Sequence, residues 1–175
     1  MKYQPKNTIE LEVLLSDESI YLGDIDTSLI TDMSCLFAND IGAKYLNRKD
    51  FSGISKWDVS KVTDMSHMFE HCYVFNKNIS VWDVSSVKNM ERMFDECNFF
   101  AQDISSWDVS RCENMSGMFS GCYSFNQSLN SWNVSKVRDM SGMFHSCYYF
   151  NQPLDKWNVS TVENMSVKCI VKICH

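Results

Sequence analysis

Apolar positions return along this chain in a fixed order every 25 residues, with Trp57, Trp82, Trp107, Trp132 and Trp157 setting the register. The same columns carry Val59, Val84, Val109, Val134 and Val159, then Met65, Met90, Met115, Met140 and Met165. Further along come Met68–Phe69, Met93–Phe94, Met118–Phe119 and Met143–Phe144, followed by Cys72, Cys97, Cys122 and Cys147 and by Phe75, Phe100, Phe125 and Phe150. A constant period of this size marks a repeat array in which no unit can bury its apolar side alone. Within a unit, Ile79, Trp82 and Val84 suit a short strand with Asp83 outward. Met90, Met93, Phe94 and Cys97 follow at helical spacing, so the segment predicts a helix of about two turns. Asp64, Asn89, Asn114, Asp139 and Asn164 stand before that helix as N-caps.

The elements together predict an α/β repeat solenoid, with short parallel strands on one face and short helices on the other. Residues 1–23 read as an N-terminal helix/strand cap, with an amphipathic pattern from Asn7 or Thr8 and a first strand in ESIYLGDI. Residues 24–166 read as the repeats, one degenerate (DIDTSLITDMSCLF) and about five of 25 residues, with an inserted surface loop in NDIGAKYLNRKD. Residues 167–175 read as an irregular end.

The repeat resolves most of the candidate chemistry. His67, Glu70 and His71 form an H-x-x-E-H match that would suit a zinc hydrolase on a helix. The equivalent positions, however, hold Arg92, Gly117 and Gly142, then Glu96, Gly121 and Ser146, the scatter of a solvated face. The cysteine column falls on the expected inner face and reads as small buried hydrophobes rather than disulfides. N-x-S matches at Asn78, Asn114, Asn126, Asn133, Asn158 and Asn164 read as incidental, because Asp58, Asp83 and Asp108 share a column with Asn133 and Asn158 and the position needs a turn-forming oxygen. Asn76, Asn126 and Asn151 suggest a structural amide ladder, broken at Ala101. The tryptophans read as core, since turning them out would turn the Asp column in.

That column, Asp58, Asp83, Asp108, Asn133 and Asn158, is the candidate binding surface. It is flanked by Lys56, Val81, Ser106, Ser131 and Lys156, which change from coil to coil as specificity residues would.

At 175 residues and 45% hydrophobic, the chain suits one domain. Its net charge of −6 argues against a nucleic-acid partner. No run approaches the roughly 18 apolar residues of a transmembrane helix, and Glu10 and Glu12 interrupt the place of a signal sequence. As written, the chain is expected in the cytoplasm, with its eight cysteines reduced.

The motifs NMSGMFSGCYSFNQSLNSWNVSKV and the recurrent WDVS resemble the BspA-like surface-protein repeat family, common in bacterial and mycoplasmal surface proteins. The resemblance covers roughly residues 24 to 166. It implies a leucine-rich-repeat-like right-handed solenoid and a binding role, often adhesion, at a cell surface.

No cofactor is expected, and neither a nucleophile with its base nor a metal cage is held in one place. The reading is a non-enzymatic recognition module for a protein or glycan, using the concave strand face and the loop region from Tyr21 to Asp50. The alternatives are a structural or decaying paralogue without ligand, and a metal-dependent hydrolase using His67, Glu70 and His71. End-to-end dimerisation through the coil end after Met165 is a further expectation.

Overall fold

The computed structural model describes residues 1–39 and 48–165. The expected irregular end, the dimerising end after Met165 and most of the inserted loop lie outside the described residues.

Helix α1, Thr8–Leu15, opens where the sequence places it. Asn7 Oδ1 accepts from the Glu10 N–H at 2.9 Å, which satisfies a free donor of the first turn. Leu11 and Leu15 are buried, whereas Ile9 and Val13 face solvent, so only part of the apolar pattern packs on the repeats. Thr8 Oγ1 donates to the Asp32 carbonyl at 2.6 Å and ties the helix to the first coil. Arg48, almost fully buried, donates to the carbonyls of Leu15, Asp17, Ile20 and Asp50, joining the segment after α1 to the first tryptophan-bearing coil. Burial pushes its guanidinium below the usual arginine value. The expected strand in ESIYLGDI is instead a 3-10 turn, Leu22–Asp24, with one parallel bridge from Tyr3 to Ile25.

The α/β solenoid is not what forms. Among the described residues there is no strand or sheet, and α1 is the only α-helix. Each coil is a succession of tight turns, and coils meet through single parallel bridges in the order Asp32, Asp64, Asn89, Asn114, Asp139, Asn164. These are the residues expected to cap helices. The side chains of Asp32, Asp64, Asn89, Asn114 and Asp139 do accept backbone N–H groups two positions on, as in Ser66 to Asp64 at 2.8 Å, but they close turns.

Hydrogen-bond geometry explains both corrections. In the expected strand, Trp82 N–H returns to the Ile79 carbonyl and Val87 N–H to Val84, so these donors close turns rather than a ladder. In the expected helix, Met93 N–H reaches Met90 O and Cys97 N–H reaches Phe94 O, three residues back. Met90, Arg92, Phe94 and Glu96 instead donate to Asn114, Ser116, Met118 and Ser120 of the following coil at 2.7–3.0 Å. Arg92 (φ 49°) and Glu96 (φ 59°) are left-handed, which turns alternate N–H groups out of any helix and toward the neighbour. The apolar spacing of a helix is therefore met by a different backbone.

The core is continuous along the stack. Phe37, Phe69, Phe94, Phe119 and Phe144 stack in sequence at 5.4, 5.7, 5.8 and 5.7 Å between ring centres. Phe75, Phe100, Phe125 and Phe150 form a second column at 5.9–6.0 Å, close beside the first. Every tryptophan is buried. Each indole N–H donates to a carbonyl of the preceding turn series, from Trp57 to Leu22 O at 2.9 Å through Trp157 to Leu129 O at 2.8 Å. The core role expected of the tryptophans holds.

Candidate interaction surface

Because the strands are absent, the predicted concave strand face does not exist as such. Asp58, Asp83, Asp108, Asn133 and Asn158 nevertheless lie exposed in successive coils. Each offers its Oδ1 to the N–H of the serine two residues on, at 3.0–3.2 Å. Hydrogen bonds from Ser60 and Ser110 hold the Asp58 and Asp108 carboxyls below the usual range. A local turn thus accounts for the column without a ligand. Among the flanking residues, Ser106 and Ser131 donate to Ser80 O and Ser105 O of the preceding coil, and Lys156 N–H donates to Asn130 Oδ1. Lys56 lies over the Tyr21 ring at 5.3 Å, and Val81 stands in solvent.

The H-x-x-E-H segment is not helical. His67 and His71 both have φ 58°, so the one-turn spacing that would point them at a common metal is lost. His67 Nδ1 lies 2.8 Å from Glu70 Oε2, and Arg92 Nη1 lies 3.4 Å from Glu70 Oε1 and 3.6 Å from Asp95 Oδ2. Glu70 and Asp95 are both buried. Burial raises the Asp95 carboxyl above its ordinary value, against Ser120 and Arg92, which oppose the shift. The arrangement is an ion-pair cluster joining two coils. No group of three His, Cys, Asp or Glu among the described residues is placed to hold a metal ion.

Cys72, Cys97 and Cys122 each donate to a phenylalanine carbonyl of the preceding coil at 3.0 Å, respectively Phe37, Phe69 and Phe94. They are free thiols. Burial raises Cys72 to about 12 and Cys97 and Cys122 well above the usual thiol value, so none is a ready nucleophile. The amides of the sequon positions do structural work: Asn78 and Asn114 close turns on Ser80 and Ser116. The amide ladder is present. Asn76 Oδ1 receives Ala101 N–H and Asn126 Oδ1 receives Asn151 N–H, while at the Ala101 break the Gln127 side-chain amide donates to the Ala101 carbonyl at 3.0 Å.

What the sequence reading passes over is a second aromatic series on the outside. Between the Cys and Phe columns lie Tyr73–Val74, Asn98–Phe99, Tyr123–Ser124 and Tyr148–Tyr149, without a charge among them. Tyr73, Val74, Phe99, Tyr123, Tyr148 and Tyr149 are 37–71% exposed. Backbone bonds from Phe99 N–H to Tyr73 O and from Ser124 N–H to Asn98 O align three of these coils, and the Tyr123 and Tyr148 rings stack at 5.4 Å. The neighbouring Glu96 carboxylate raises the Tyr123 hydroxyl. The available signal was apolar residues at positions where the core columns were already full.

Among the described residues, no helix is long and apolar enough to cross a membrane. No curated protein and no solved structure matches the chain. The family described as "Mycoplasma protein of unknown function, DUF285" matches residues 13–124 and, through the overlap that a repeat permits, residues 88–170. The leucine-rich-repeat particulars of the sequence resemblance find no counterpart in the turn-built coils. With nearly the whole chain matched, the protein belongs to the DUF285 family.

Proposed function

We propose that the chain is a non-enzymatic recognition module that binds another protein through the aromatic edge formed by Tyr73, Phe99, Tyr123, Tyr148 and Tyr149. One observation carries the reading: an apolar series with no charged residue at its own positions stands in solvent along four coils. Exposed patches of this kind mark interaction sites, and aromatic enrichment with loss of charge is the composition of interface centres. Tyrosine adds large contact area at a cost of only two side-chain torsions. The Asp58–Asn158 column is the weaker candidate, since its carboxylates already accept from serine N–H groups.

A photo-crosslinking residue placed at position 148 in source cells tests this. A defined protein adduct, lost when Phe99→Ser is added and absent when the probe stands at position 81, is the expected result. Equal labelling from both positions would overturn the assignment of the edge.

A further inference from the structure

Two buried carboxyls meet across the joint between neighbouring coils, and we infer that this joint is proton-operated: it holds more firmly when the pair takes up a proton and loosens when both groups are ionised. Glu70 and Asp95 occupy the same position of successive coils, 25 residues apart. Their side chains are 12% and 10% exposed, whereas Arg92, the guanidinium that faces both, is 53% exposed. One nitrogen serves the two of them, with Arg92 Nη1 3.4 Å from Glu70 Oε1 and 3.6 Å from Asp95 Oδ2. Both distances exceed the roughly 2.7–2.9 Å of a firm charge-assisted hydrogen bond. His67 Nδ1 lies 2.8 Å from Glu70 Oε2 and brings a charge only when protonated. A half-solvated cation thus stands against two desolvated anions, an arrangement that favours keeping one carboxyl neutral.

Asp95 is the member that takes the proton. Burial raises its carboxyl and the Glu70 carboxylate adds to the rise, while Ser120, Arg92 and His71 act the other way. Its other titratable neighbours are the thiols of Cys97 and Cys122, which burial keeps protonated, and Glu91 and His145, which border the same groove. A carboxyl raised by folding binds its proton more tightly than the unfolded chain does. Its contribution to stability is therefore complete below the ordinary 3.8 and is lost as pH rises through the folded value. Asp58, Asp108 and Asp139 are held below that range, so their contribution is present above 3.8 and is lost only as pH falls beneath it. Above 3.8, Asp95 alone of these four changes the balance.

The charge acts where the coils are tied. The N–H groups of His67, Phe69 and His71 donate to the carbonyls of Glu91, Met93 and Asp95 at 2.7–2.9 Å, so Asp95 receives a backbone bond beside its own carboxyl. Two coils on, Gly117, Phe119 and Gly121 make the equivalent bonds to Ser141, Met143 and His145, and there Ser120 and His145 stand in the carboxyl positions. The repeat thereby supplies a matched joint without the acidic pair.

Amide hydrogen exchange of the full chain, read residue by residue by NMR and corrected for the intrinsic rate at each pH, is the test. As the pH is lowered from about 7 to about 4, the protection of Phe69 and His71 relative to Phe119 and Gly121 is expected to rise several-fold. In Asp95→Asn, which keeps the shape and removes the charge, the same ratio is expected to stay constant. A wild-type ratio that does not move with pH, or one that moves equally in folded Asp95→Asn, would overturn the inference. The carboxyl-carbon shift of Asp95 in the wild-type chain needs no variant: its titration midpoint is expected above 3.8, and a midpoint at or below that value would equally overturn it.

Discussion

The indole N–H of Trp82 donates to the carbonyl of Ile54, 28 residues earlier and 3.2 Å away, inside a core where Trp82 is only 4% exposed. A tryptophan marks the period in the sequence, and in the structure it does two things at once: its rings fill the core and its one polar atom meets a buried backbone acceptor of the neighbouring coil. Removal of the donor leaves that carbonyl with the Trp57 N–H alone, at 3.1 Å. Trp82→Phe is therefore expected to lower stability by about 0.5–1.5 kcal/mol for the lost hydrogen bond, with some further loss for volume. Urea unfolding followed by circular dichroism measures it; a midpoint equal to wild type would show that the Trp57 N–H suffices for that carbonyl and that the core closes over the lost volume.

The buried thiols make stability depend on alkaline pH. Burial raises Cys72 and Cys112 to about 12, so the folded protein holds protons that an unfolded chain gives up near the ordinary value of 9.0. The contribution is thus complete below pH 9 and is lost as pH rises toward about 12. A Cys72→Ala, Cys112→Ala variant is expected to show a shallower fall in melting midpoint between these limits than wild type. Parallel curves would mean that the thiols do not carry the dependence. In the native state a thiol reagent is expected to leave Cys97 and Cys122 unmodified until the chain is unfolded.

Left-handed residues at fixed places in each coil predict opposite effects for two kinds of substitution. Gly142 has φ 64° and an added Cβ would meet only the His145 Cβ, at an ordinary contact of 3.9 Å, so Gly142→Ala is expected to cost about 1–2 kcal/mol from backbone strain alone. Gly121→Ala is expected to cost at least as much, because its Cβ would lie 2.6 Å from the Glu96 carboxylate, the far end of a flexible side chain that must swing aside. Ser146→Gly, at φ 55°, relieves the same strain and is expected to raise the melting midpoint. An order reversed among the three would show that the turns relax in solution.

The ion-pair cluster around Glu70 predicts indifference to metal. His67 and Arg92 remain partly exposed and can be solvated, so Glu70→Gln is expected to cost no more than about 1 kcal/mol. Zn²⁺ is expected to leave the melting midpoint unchanged, since a ligand of the folded state must raise it. A zinc-dependent rise that disappears in His67→Ala would restore the metal site that the sequence alone suggested.

Much of the candidate surface was legible for a simple reason: a turn needs a side-chain oxygen, and Asp or Asn in the same column of every coil announces it. The aromatic edge was not, because Tyr73, Phe99 and Tyr148 have the same composition as the core columns that neighbour them. Whether an aromatic side chain is filler or contact depends on which way its coil turns at that residue.

The sequence by itself determined the period, the capping helix at Thr8–Leu15 and nearly every core residue, since each follows from spacing, an N-cap side chain or the demand that apolar columns be covered. Only the tertiary structure decided the backbone that carries them. Met90, Met93, Phe94 and Cys97 satisfy the spacing of a helix and equally that of stacked turns, because spacing records which side chains point inward and not where the N–H groups go. Once Arg92 and Glu96 adopt left-handed torsions, alternate N–H groups find their acceptors in the next coil, and that choice exists only when the next coil is in place.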